Sequence, residues 1–130
     1  MVALNLNNVL VGSDKPERLI AFYSEVLGPP SWEGGGYVAW SAGHGYLCVG
    51  PGAVAGRSDE PERVVIGFQA EDVLGEFERI RAAGGEVVRA PFHPVDGPDD
   101  WLAVIADPDG NLVQIGSPWA PTAETLSSGL

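Results

Sequence analysis

Asp107-Pro108-Asp109-Gly110-Asn111-Leu112-Val113-Gln114 sets a tight-turn signal directly before a strand. Asp, Pro, Gly and Asn are turn formers, each for its own reason: a side-chain oxygen that bonds nearby backbone, a preset φ, or freedom to take positive φ. The run from Asn111 to Gly116 then reads as a strand whose fourth residue, Gln114, is an uncharged amide. Immediately upstream, Trp101 to Ala106 reads as a second strand, and Glu86 to Ala90 as a third, separated by a long loop from Pro91 to Asp100 that carries His93, Asp96, Asp99 and Asp100.

Further out, the same order of elements occurs twice. Val64 to Ala70 is strand-like, Asp72 is placed to cap a helix carrying Val73, Leu74, Phe77 and Ile80, and Gly84-Gly85 ends it. In the first half, Leu4 to Gly12 is strand-like and Asp14 is placed as the cap, with Pro16 in the first turn and Glu17 at the capping-box position. Leu19, Ile20, Tyr23, Val26 and Leu27 recur at helical spacing until Gly28-Pro29-Pro30. Strands are expected at Ser31 to Glu33, Tyr37 to Ser41 and Gly45 to Val49, with Gly34-Gly35-Gly36 and Gly43 in the turns. The expected fold class is α+β: two β-α-β-β-β modules, residues 3–50 and 63–117, joined by a Gly- and Pro-rich linker at 51–62 and followed by a tail at 118–130. Each module is too small to bury its own sheet face, so their mixed sheets are expected to form a concave cavity. Aligning Asp14 with Asp72 places Asn7 opposite Val65 and Leu10 opposite Phe68.

With 130 residues, 45% of them hydrophobic, the chain suits one globular domain. Cys48 is its only cysteine, so no intrachain disulfide forms, and neither a secretory signal nor a membrane-spanning apolar run is legible. A cytoplasmic protein with no membrane partner is expected. Seven Lys and Arg against eighteen Asp and Glu leave a net charge of −11, which opposes nucleic acid and suits a neutral or cationic small ligand; the same acidity also serves solubility.

Three stretches in order, Phe22-Tyr23-Ser24-Glu25-Val26-Leu27-Gly28, Ile66 to Asp72 with Ala82-Ala83-Gly84-Gly85, and Asp107 to Gln114, resemble the vicinal oxygen chelate superfamily. That group includes glyoxalase I, extradiol dioxygenases, fosfomycin-resistance enzymes and bleomycin-resistance proteins. The resemblance runs from Asn7 to Gln114 and implies the architecture read above. Its metal-dependent members use two His and usually Glu side chains, one from each of four strands, and the resemblance places those positions at Asn7, Val49 or Cys48, Val65 and Gln114. Valine has no lone pair to offer, and neutral amides hold hard cations only beside carboxylates. The expectation is therefore no metal and no cofactor. A register slip of one residue would present Leu6 or Asn8, Val64 or Ile66, and Val113 or Ile115, which are no better as ligands.

His44 and His93 sit in expected loops, and Cys48 in a strand with no cation or base nearby in the sequence. Trp32, Trp40 and Trp101 fall on or beside strands, with Tyr37 and Tyr46 close by. Each singly is accounted for by packing, but together they suit stacking on a flat, cationic or amphipathic molecule. The bleomycin-resistance branch, which sequesters a drug between two subunits, is what this combination resembles. The expected function is metal-free binding of a small aromatic ligand by a homodimer, with antibiotic sequestration as its specific form. Trp32, Tyr37, Trp40 and Trp101 would stack on the ligand, Val49 and Val65 would line the site, Asn7 and Gln114 would orient polar groups, and the Asp96 to Asp100 loop would attract positive charge. The alternative is a lyase, isomerase or dioxygenase with a non-standard metal site, or with Asp96, His93 or Glu33 as general base.

Overall fold

The computed structural model describes residues 3–53 and 55–118, so Trp119 and the remainder of the tail lie outside the described residues. β1 (Asn8–Ser13), α1 (Pro16–Leu27), β2 (Trp32–Gly34), β3 (Tyr37–Ala42) and β4 (Gly45–Pro51) make the first module. β5 (Val65–Gln69), α2 (Val73–Ala82), β6 (Glu86–Phe92), β7 (Leu102–Ala106) and β8 (Leu112–Gly116) make the second. Each module is a four-stranded mixed sheet, ordered β1-β4-β3-β2 and β5-β8-β7-β6. The pairs β1/β4 and β5/β8 are parallel and the others antiparallel.

The two helix starts differ, and the difference sets the register. Asp72 caps α2 as expected, accepting from the Gly75 backbone N–H at 3.0 Å. In α1 the cap is Lys15, not Asp14, and no side chain bonds to the free N–H groups of the first turn. Pro16 explains this, since the ring excludes Lys15 from helical backbone and holds it extended at φ −134. Asp14 is thereby left one residue too early, and the Ser13 hydroxyl instead accepts from Lys15 N–H at 3.1 Å. Matching the true caps, Lys15 and Asp72, shifts the repeat by one residue, so that Asn8 corresponds to Val65 and Leu10 to Gly67.

β1 also begins later than its apolar alternation suggests. Its parallel partner β4 starts at Gly45, and the last rung is Tyr46 N–H to Asn7 C=O at 2.9 Å. Upstream of that rung Leu4 and Leu6 have no strand to pair with and are each 88% exposed. At the other end of the chain, β6 runs two residues beyond its expected end, to Phe92, by virtue of two register irregularities against β7.

Both helices and the helix-facing sides of both sheets share a single apolar core. Leu19, Phe22, Tyr23 and Val26 of α1 meet Val38, Trp40, Leu47 and Val49 of the first sheet, and the cluster continues into Ile80 of α2 and Ile105, Val113 and Ile115 of the second sheet. Polar contacts lock the modules together. The Tyr23 hydroxyl donates to Asp107 at 2.7 Å, Arg18 pairs with Asp109 at 2.9 Å, and Arg79 of α2 donates to the Glu25 and Val26 carbonyls at the end of α1. Those carbonyls are helix-end acceptors that would otherwise lack partners.

Candidate ligand-binding site

Strand alternation divides each sheet into a helix-facing side and an open side. In the first sheet the open side carries Asn8 and Leu10 of β1, Tyr46 and Cys48 of β4, Tyr37 of β3 and Trp32 of β2, as the burial pattern and cross-strand register both require. In the second it carries Val65, Gly67 and Gln69 of β5, Gln114 of β8, and Leu102 and Val104 of β7.

Two of the expected site residues therefore lie on the wrong side. Trp40 is 1% exposed, tilted against the Tyr23 ring with centroids 6.1 Å apart, and its indole N–H donates to the Gly28 carbonyl at 2.9 Å. It is a core residue whose one polar atom is satisfied, because its place in β3 is opposite Leu47 on the helix-facing side. Val49 is fully buried beneath α1 for the same reason of parity, and Cys48 takes the open side in its stead. Asn7 lies just before β1 and Asn8 holds the sheet-facing place. Val65 and Gln114 lie on the open side of the second sheet.

The remaining aromatics do not share one cavity within the chain. On the first sheet, Asn7, Leu10, Trp32, Tyr37, Tyr46 and Cys48 line a cleft of about 280 Å³. Tyr37 lies flat over β4 only because Gly50 has no side chain; a Cβ there would fall 2.1 Å from the ring. On the second sheet, Gln69, Gln114, Asp96, Asp100, Trp101 and Leu102 line a larger cleft of about 470 Å³. Its wall is rigid. His93 stacks on Trp101 with centroids 3.9 Å apart, its Nδ1 donates to the Asp100 carbonyl at 2.7 Å, and Trp101 N–H donates to the Ser117 hydroxyl. Gln69 went unnoticed in the sequence because it is an ordinary polar residue at a strand end. Once Gly67 is seen opposite Gln114, two-residue alternation brings Gln69 onto the same face.

Below the cleft, the turn that precedes β8 is held by one buried carboxylate. Asp107 is 1% exposed and accepts from Tyr23 hydroxyl, Asp109 N–H, Asn111 N–H and the Asn111 amide. Burial, reinforced by the neighbouring Asp107 charge, pushes the Tyr23 phenol far above its ordinary range. Gly110 completes the turn at φ 80, a conformation that disfavours any residue with a Cβ. Asn111 then leads into β8 and sets where Gln114 lies.

As a metal site the four central open-side positions fail on donor chemistry. Asn8, Cys48, Val65 and Gln114 offer two neutral amides, one thiol and a hydrocarbon, which do not compensate a divalent ion for its lost water. No group of three His, Cys, Asp or Glu side chains converges elsewhere among the described residues. No helix among them is long and apolar enough to cross a membrane.

Residues 8–116 match the family model described as Glyoxalase-like domain. The chain belongs to the glyoxalase-like domain family. Its place in the vicinal oxygen chelate superfamily agrees with the structural likenesses. A glyoxalase-related enzyme from Fulvimarina pelagi is similar over 92% of this chain and 93% of its own, at 21% identity and a TM-score of 0.73. A glyoxalase/bleomycin resistance protein/dioxygenase family enzyme from Burkholderia phytofirmans PsJN covers 88% of this chain and 98% of its own, at 18% identity and 0.71. A lactoylglutathione lyase from Agrobacterium tumefaciens covers 87% and 92%, at 21% and 0.66. No curated protein matches the chain in sequence. At these identities the likeness extends to the glyoxalase-like fold, and the activity has to be argued from the side chains.

Proposed function

We propose that this glyoxalase-like protein binds a small planar organic molecule without a metal or other cofactor, sequestering rather than transforming it, with a cytoplasmic antibiotic as the specific case. The observation that carries this reading is the cleft on the second sheet. Two carboxamides, Gln69 and Gln114, project from its floor, Trp101 forms an aromatic wall, and Asp96 and Asp100 supply negative charge at the rim. A flat ring stacks on the indole, its polar edges bond to amides that both donate and accept, and a cationic or amino group meets the acidic loop.

The open side of the first sheet supports a homodimer. Leu10, Trp32, Tyr37 and Tyr46 are between 38% and 58% exposed there. A second copy would cover this apolar surface and set the aromatic cleft near a ligand-bearing sheet.

Two experiments test the proposal. Purified protein is incubated with excess nickel, zinc, manganese and ferrous iron, desalted, and weighed by native mass spectrometry; no ion is retained, and near-stoichiometric retention would overturn the metal-free reading. A library of aromatic antibiotics is then screened by tryptophan fluorescence. Trp101→Leu lowers the affinity of a hit about fivefold, the equivalent of a stacking contact of about 1 kcal/mol. Unchanged affinity in that variant and in Gln114→Leu would show that the ligand binds elsewhere.

A further inference from the structure

Arg18, Arg57, Arg63, Arg79 and Arg81 each pair with a carboxylate. Among the described residues Arg89 is the one arginine that does not, in a chain whose net charge is −11. It is also the arginine that stands on the open side of the second sheet. Arg89 lies opposite Val104, Val104 opposite Gln114, and Gln114 opposite Gly67, so one row crosses all four strands. At about 4.8 Å between strands, its backbone is about 10 Å from that of Gln114.

Its side chain is held in place. The guanidinium carbon lies 3.4 Å over the centroid of the Phe92 ring. Regular alternation would put residues 89 and 92 on opposite faces, but the irregularities between Val87 and Arg89 and between Arg89 and Phe92 bring both to the open side. Phe92 is in turn opposite Leu102, which lines the larger cleft. A bulged strand that re-aims a cation onto an aromatic platform leaves the planar guanidinium with its N–H donors free to bond in its own plane.

We infer that Arg89 is the anchor for a carboxylate on the ligand, and that the ligand is a planar molecule with an acidic group at one end and donor groups at the other. The inference rests on the ligand-binding reading of the second sheet and deepens it. Arg89 takes the carboxylate through two parallel N–H···O bonds, Gln114 and Gln69 bond to the middle of the molecule, and Asp96 and Asp100 take its far end. The ring lies in the cleft against Trp101.

The test is an NMR chemical-shift titration with a panel of bicyclic and tricyclic aromatic carboxylates, each beside its primary carboxamide. At low salt the wild-type protein binds the carboxylate about tenfold more tightly than the matched amide, and the Arg89 side-chain resonance moves. In Arg89→Gln the ratio falls to about one, while Arg89→Lys, which keeps the charge without the planar fork, retains part of it. Raising the salt erodes the wild-type preference, since the site is exposed. Equal binding of acid and amide by the wild type, or a preference that survives Arg89→Gln, overturns the anchor alone. Failure of every pair to move the Gln114 resonances overturns the anchor and the ligand-binding reading together.

Discussion

Asp107→Ala loses on the order of 4 kcal/mol of stability, enough to unfold a large share of a protein whose total is about 5–15 kcal/mol. Removal of the carboxylate leaves the buried Tyr23 hydroxyl and Asp109 N–H, and the part-buried Asn111 N–H, without acceptors. Each orphaned buried donor costs about 1–3 kcal/mol, and the turn that starts β8 loses its only shared acceptor. Urea unfolding measures the effect as a drop in midpoint, and a loss below about 1 kcal/mol would contradict the network. Tyr23→Phe removes one donor and costs less, about 1–2 kcal/mol. That variant also has a signature in pH. The folded phenol titrates above its ordinary value of 10.0, so the contribution of Tyr23 is complete below pH 10.0 and is lost as pH rises beyond it, when only the unfolded chain can ionise that group. Alkaline destabilisation of the wild type above that pH is therefore steeper than that of Tyr23→Phe.

Trp40→Ala costs about 3–5 kcal/mol, whereas Trp32→Ala costs less than about 1 kcal/mol. The first empties the space of the largest buried side chain in the core and orphans the Gly28 carbonyl; the second trims a residue that is 57% exposed. Thermal unfolding of the two variants separates them directly. Comparable melting temperatures would mean that Trp40 is not packed as described. The same pair sorts the tryptophans by role, because Trp32 and Trp101 face clefts and Trp40 faces α1.

Local chemistry was enough to read most elements. Pro and Gly punctuation bounded α1 between Pro16 and Gly28, Asp72 capped α2, and Asp107 to Asn111 turned the chain into β8. The doubled order of elements gave the two four-stranded mixed sheets, since each strand's period and each breaker act within a few residues of themselves. Gln114 was legible for the same reason, being tied to a turn whose geometry carries it to the open face.

Side-chain facing is where local reading broke down. With a period of two, an error of one residue exchanges the faces of a whole strand. Trp40 and Val49 changed sides because their parity depends on cross-strand partners, not on their own neighbours in the chain. Asn7 gave way to Asn8 because β1 pairs with β4 with Asn8 opposite Tyr46, a rung between strands nearly forty residues apart, while the Pro16-shifted cap of α1 changed the match between the two halves by the same one residue. Arg89 was invisible for a further reason. Its place beside Phe92 depends on two irregularities that arise only when β6 is fitted against β7.

The amino-acid order alone therefore dictated the inventory of elements and their duplication, because residue type and short-range backbone preference are properties of the chain itself. Which aromatics are core, which carboxylate locks the modules, and which arginine stands without a carboxylate partner among the described residues were settled only by packing. Those depend on contacts between residues as far apart as Tyr23 and Asp107, and such contacts exist only once both sheets have closed over one core.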